Sequence, residues 1–140
     1  MIDYIITFAA GVAAGVVLET VLLKIQESTV KGHIKSLRDC FGEPMCTTTF
    51  TFKEVKEWIK AREDSLQAGS KAIVLKANSK TMGNLGKELN LDGVENYLIM
   101  AVVDKDSGDI QDSVLIKYER LDQALENALA KGNGVLVVEG

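Results

Sequence analysis

NYLIMAVVD, Asn96 to Asp104, contains six consecutive apolar residues, Leu98 to Val103. A strand with one wet face alternates apolar and polar side chains. An unbroken run reads instead as a strand covered on both faces, or one deep in a sheet. GVLVVEG, Gly134 to Gly140, closes the chain with a second run of this kind, Val135 to Val138. KAIVLKA (Lys71 to Ala77) and SVLIKYE (Ser113 to Glu119) read as two more strands, and CTTTF (Cys46 to Phe50) as a fifth.

Helical signals lie between these runs. Thr51-Phe52-Lys53-Glu54 has the spacing of a capping box, with Phe50 and Val55 placed as a hydrophobic staple. The helix it opens is expected to bury Phe52, Val55, Trp58, Ile59 and Leu66 and to end near Gly69. Met82, Leu85 and Leu89 mark a short helix weakened by Gly83 and Gly86, and Leu121, Leu125 and Leu129 mark another that Gly132 closes. The order β-α-β-(α)-β-β-α-β predicts an α+β domain: a mixed sheet of about five strands with helices mostly on one face. A ferredoxin-like variant is one candidate topology.

The amino terminus is of another kind. Tyr4 to Leu18 carries no charge, and extending the stretch to Leu23 gives 20 residues interrupted only by Glu19. At 1.5 Å per residue that is about 30 Å of helix, the thickness of a hydrocarbon core. Residues 1–23 are therefore expected to form a single transmembrane helix. Asp3, and the lack of any Lys or Arg before the apolar run, argue against a cleaved leader; a helix buried against another chain is the other alternative. Lys24, Lys31, Lys35 and Arg38 all follow the run, so the amino terminus is expected outside a cell membrane and the main domain in the cytoplasm. Ala10, Gly11, Ala14, Gly15 and Leu18 share one helix face and include a GxxxG pair, a surface that lets two helices approach closely. Glu19 borders that face, with Thr20 a candidate donor to it, so a homo-oligomer is expected.

Residues 24–41 form a basic juxtamembrane segment. Val30, Ile34, Leu37 and Phe41 step along it at helical spacing, suited to docking on the domain, lying on the leaflet or forming a coiled coil. Residues 42–140 make up the domain, which is expected to fold when the chain begins at Gly42.

Composition narrows the chemistry. The 140-residue chain is 46% apolar and 26% charged with a formal net charge of −4, and residues 42–140 hold 12 basic against 16 acidic side chains. An acidic domain is a poor partner for nucleic acid. His33 is the sole histidine, so no Ser-His-acid or Cys-His nucleophile can be assembled beyond residue 42. Cys40 and Cys46 bracket CFGEPMC at a spacing that suits neither a redox CxxC nor zinc, and are expected as free thiols. Asp104 to Asp112 resembles a calcium loop at two positions but puts Gly108 and Leu115 where ligands belong, so a hairpin turn is expected. MGNLGKE lacks phosphate-loop spacing, and NSKT (Asn78 to Thr81) reads as a helix cap that could also face an anion. No cofactor or metal is implied. These features suggest a membrane-tethered interaction or regulatory module with a protein partner, not an enzyme. A small-ligand sensor is the alternative. A sheet edge or apolar patch would favour the former, a polar pocket the latter.

Overall fold

The computed structural model describes residues 7–9, 12–30, 37–89, 91, 93, 96–104 and 106–139. A mixed sheet forms its middle layer: β1 (Thr7–Ala9), β2 (Met45–Phe50), β3 (Lys71–Lys76), β4 (Asn96–Val103), β5 (Ile110–Leu121) and β6 (Val135–Glu139). The strands lie in the order β1-β6-β3-β4-β5-β2. Every neighbouring pair is antiparallel except β2 and β5, which run parallel with Met45 beside Ile116 and Phe50 beside Leu121. The fold is α+β, and its five longer strands are those expected from the apolar runs.

The runs at β4 and β6 are buried on both faces, as their composition required. Ile99, Ala101 and Val103 point to one face of β4, and Leu98, Met100 and Val102 to the other. The second face is covered by α3 (Phe52–Lys60), α4 (Glu63–Gln67) and α7 (Gln123–Lys131), through Val55, Ile59, Leu66, Leu125 and Leu129. The first is covered by α1 (Val12–Val30), α2 (Leu37–Phe41), α5 (Ser79–Met82) and α6 (Asn84–Glu88). Helices thus flank the sheet on both sides, which corrects the expectation that they gather mostly on one.

The missing cover is the apolar amino-terminal segment. Val17, Val21 and Ile25, four apart on α1, are buried in the first face, with Val21 and Ile25 fully inaccessible. Each such side chain contributes about 1.5–3 kcal/mol on leaving water. Lys24 on the same helix meets Asp109 at 2.7 Å, and a Cβ on Gly108 would lie 3.3 Å from Thr20 Cγ2. Among the described residues no helix is long and apolar enough to cross a membrane. The expected span over residues 1–23 thus has no counterpart there: Thr7–Ala9 pair with β6, and α1 continues unbroken past Leu23.

The ferredoxin-like candidate is also corrected. A split βαβ unit places one strand between its two parallel strands. Here both β4 and β5 separate β2 from β3.

On the second face the capping box forms as expected, but the helix it opens ends at Lys60 and α4 follows as a separate helix, which corrects the single helix expected to reach Gly69. Thr51 Oγ1 accepts from Glu54 N, and Glu54 Oε2 accepts from Thr51 N, completing the capping box. Asp122 does more than cap α7. Its Oδ1 accepts from Leu125 N at 2.9 Å and from Phe52 N at 3.1 Å, so one carboxylate serves the first turns of both α7 and α3. Asp122→Ala is expected to cost about 2 kcal/mol, twice a typical cap, while Asp122→Asn keeps an acceptor and costs less. Urea midpoints of the two variants check this; equal losses would mean that the shared oxygen is not the stabilising element.

Candidate functional site

β2 forms one border of the sheet. The Phe50 carbonyl accepts from Asp122 N at 3.0 Å and so points inward. Main-chain groups alternate sides along a strand, so those of Thr47 and Thr49 point outward. Among the described residues no strand pairs with that outer side, and the only local partner is a 3.3 Å bond from Thr47 Oγ1 to the Thr49 carbonyl. Natural edges are blunted by lysine, proline, inward charges or bulges. MCTTTF carries no charge and no proline within the strand; Glu43 and Pro44 precede it. Met45 is 49% exposed, and a shallow depression of about 320 Å³ lies beside the strand, lined by Cys46, Thr47, Thr48, Lys117, Tyr118 and Glu119. On its other side β2 is fastened to β5 by Arg120 Nε donating to Thr49 Oγ1 at 2.9 Å.

A polar cleft lies where β3 ends and α5 begins. Lys76, Asn78 and Lys80 form a ridge between two hollows of about 280 and 310 Å³. The first is closed by Glu126, Asn133 and Gly134, the second by Leu91, Asn96, Tyr97 and Tyr118. Lys76 Nζ stands 3.6 Å from Glu126 Oε1. Burial, with the nearby Glu126 charge, pushes the Tyr118 phenol above its usual range, so it remains a donor at neutral pH. The ridge is locally braced: Asn78 Oδ1 accepts from Thr81 N at 3.0 Å, and Thr81 Oγ1 donates to the Lys76 carbonyl. NSKT is thus a helix cap, as its composition suggested. Gly134, at φ +92, is required where it stands, since a Cβ would lie 2.7 Å from Thr81 Cγ2.

The residues singled out from the sequence are scattered. Ala10, Gly11, Lys31, His33, Ile34 and Lys35 lie outside the described residues. Ala14 and Gly15 lie on α1, Leu18 is half-buried against the first face, and Glu19 is exposed. Lys24 bonds Asp109; the hydrogen bond holds the ammonium above its usual range and the carboxyl below its own. That pair is intact between those ranges and opens at either extreme of pH. Arg38 is exposed and 3.7 Å from Glu43. Leu37 is buried and Phe41 half-buried against the first face, so these two residues of the juxtamembrane stripe are docked on the domain.

Both cysteines are free; Cys46 is exposed, and burial raises the Cys40 thiol. The Asp104 loop is a hairpin turn: Asp104 Oδ2 accepts from Ser107 N at 2.8 Å, and Gly108 takes φ +71. Among the described residues no group of acidic, histidine or cysteine side chains is arranged for a metal. No protein-family model, curated protein or solved structure matches this chain.

Proposed function

We propose that this protein is a non-catalytic interaction module that self-associates by pairing β2 of two copies, antiparallel across a two-fold axis. The observation that carries the reading is an edge strand without the usual guards. Self-pairing sets uncharged threonines against one another, so the acidic surface of the chain (net charge −4) adds no direct repulsion at the seam. Main-chain hydrogen bonds supply the attraction, as in other cases of strand addition.

The outward amide of Thr47 gives a selective test. Thr47→Pro removes an edge donor without taking one from the β2–β5 ladder, and Thr48→Lys adds a guarding charge. Sedimentation of the full chain is expected to give a dimer for wild type and monomers for both variants, with unchanged circular dichroism. A monomeric wild type, or variants that stay dimeric, overturns the reading.

The membrane-tethered form of the module is a second reading, favoured by the charge-free stretch Tyr4–Leu18 and the basic residues that follow it. It places the amino terminus outside, the domain in the cytoplasm beside an unidentified protein partner, and Gly11 and Gly15 in a helix pair. It also requires Val17, Val21 and Ile25 to leave the sheet. Membranes from expressing cells, washed with alkaline carbonate, separate the two readings: retention of the chain supports the tether, and release supports the docked α1.

A further inference from the structure

We infer that two copies join in a single register, with Thr47 facing the partner's Thr47 on the two-fold axis, and that Met45 anchors the seam. The register rests on the self-association proposed above. Main-chain groups that point out of β2 must meet groups that point out of the partner strand. Those groups belong to Met45, Thr47 and Thr49, since the Phe50 carbonyl points inward to Asp122 N. An axis through Thr47 matches all three: Thr47 meets Thr47, Met45 meets Thr49 on either side, and each pair exchanges both its hydrogen bonds. An axis through Cys46 sets Thr49 against Glu43, which precedes the strand. An axis through Thr48 sets Met45 against Thr51, whose N–H is already held by Glu54 Oε2 at 2.9 Å. The bond from Thr47 Oγ1 to the Thr49 carbonyl takes one of two lone pairs and leaves the other for the partner's Met45 amide.

The side chains agree with this register. Met45, Thr47 and Thr49 lie beside Ile116, Tyr118 and Arg120 of β5, and Ile116 and Tyr118 belong to the second face. Residues directly opposite in an antiparallel pair share a face. Met45 therefore lands on the partner's Thr49 and the aliphatic stem of the partner's Arg120, which is bonded to that threonine. Met45 and Leu23 are the two large apolar side chains that stand exposed among the described residues. Pairing about Thr47 covers Met45 in both copies.

On the first face the same register puts Cys46 opposite Thr48 in a pair without hydrogen bonds, about 4.5 Å apart at Cα and within disulfide reach. The two Cys46 residues then stand diagonally, roughly 7–8 Å apart and beyond the usual span of a disulfide. Full chains carrying Cys40→Ala are incubated with oxidised glutathione, which accepts two electrons and leaves as two reduced thiols for each bond formed. With Thr48→Cys added, the chain is expected to be trapped as a covalent dimer. With Cys46 alone, or with Thr48→Cys and Cys46→Ser together, it is not. In sedimentation of the full chain Met45→Ala is expected to weaken the dimer about tenfold, and Leu23→Ala to leave it unchanged. For a dimeric wild type, four outcomes overturn the register while sparing self-association: no trapping of Thr48→Cys, trapping through Cys46 alone, trapping of the double variant, or Met45→Ala dimerising like wild type. A monomeric wild type overturns both.

Discussion

Val21→Asp is expected to remove about 3–5 kcal/mol of stability, the range for an uncompensated buried charge. Domains of this size hold roughly 5–15 kcal/mol in all, so the variant stands close to unfolding at room temperature. Val21 is fully inaccessible within the first face of the sheet, and no cation lies among the buried side chains around it. Leu23, two positions on, is 63% exposed, and Leu23→Asp is expected to change stability by no more than about 0.5 kcal/mol. Urea unfolding of the pair reads the difference directly. A Val21→Asp protein as stable as wild type would show that α1 does not seal the sheet, and the membrane-tethered reading would gain what the docked one lost.

A chain beginning at Gly42 is expected to lose cooperative unfolding altogether. It lacks β1, α1 and α2, and with them Val17, Val21, Ile25 and Leu37. Ile73, Ile99, Ala101, Val137 and their neighbours then keep only the short α5 and α6 above them. Far-ultraviolet dichroism should survive in part, while dye binding to apolar surface rises and near-ultraviolet signals vanish. A sharp transition near the full-length midpoint would restore the boundary at residue 42 that the sequence suggested.

The packing of α1 on the sheet was hidden in the sequence for a physical reason. A helix apolar nearly all round suits either a bilayer or a protein core, and Val12 to Leu23 gives periodicity little to work with. The signal that distinguishes the two lay in the charges: Glu19 and Glu27 fall on the exposed side of α1, and Lys24 meets the β4–β5 hairpin. A second signal was the double-sided burial demanded by LIMAVV and VLVV, which the helices on one face could not provide. Strands β2 to β6, caps and the Asp104 turn were legible because each depends on residues within a few positions, whereas β1 falls in the stretch that reads as helix. The unguarded edge was not: CTTTF reads as a strand, but its place at the border follows from pairing with a strand far along the chain. The cleft was half legible. NSKT marked one wall, while Glu126, Asn96 and Tyr118 arrive from three other elements.

The parallel seam between β2 and β5 also bears on how the molecule is made. Its partners Thr49 and Arg120 lie 71 positions apart, whereas β3, β4 and β5 are successive neighbours in the sheet. Contacts that close long loops form late. At about 5–20 residues per second on a ribosome, β2 waits roughly 4–14 seconds for the segment it will pair with. During that interval its neutral threonine backbone has no ladder, and once β5 emerges that strand also has a bare side until β2 docks. Two nascent chains held close together could exchange these strands, each β2 closing the other's sheet. Synthesis near a neighbouring copy would then yield a swapped dimer with the same seam as the monomer, and slower translation of residues 51–121 would lengthen the window in which the exchange takes place.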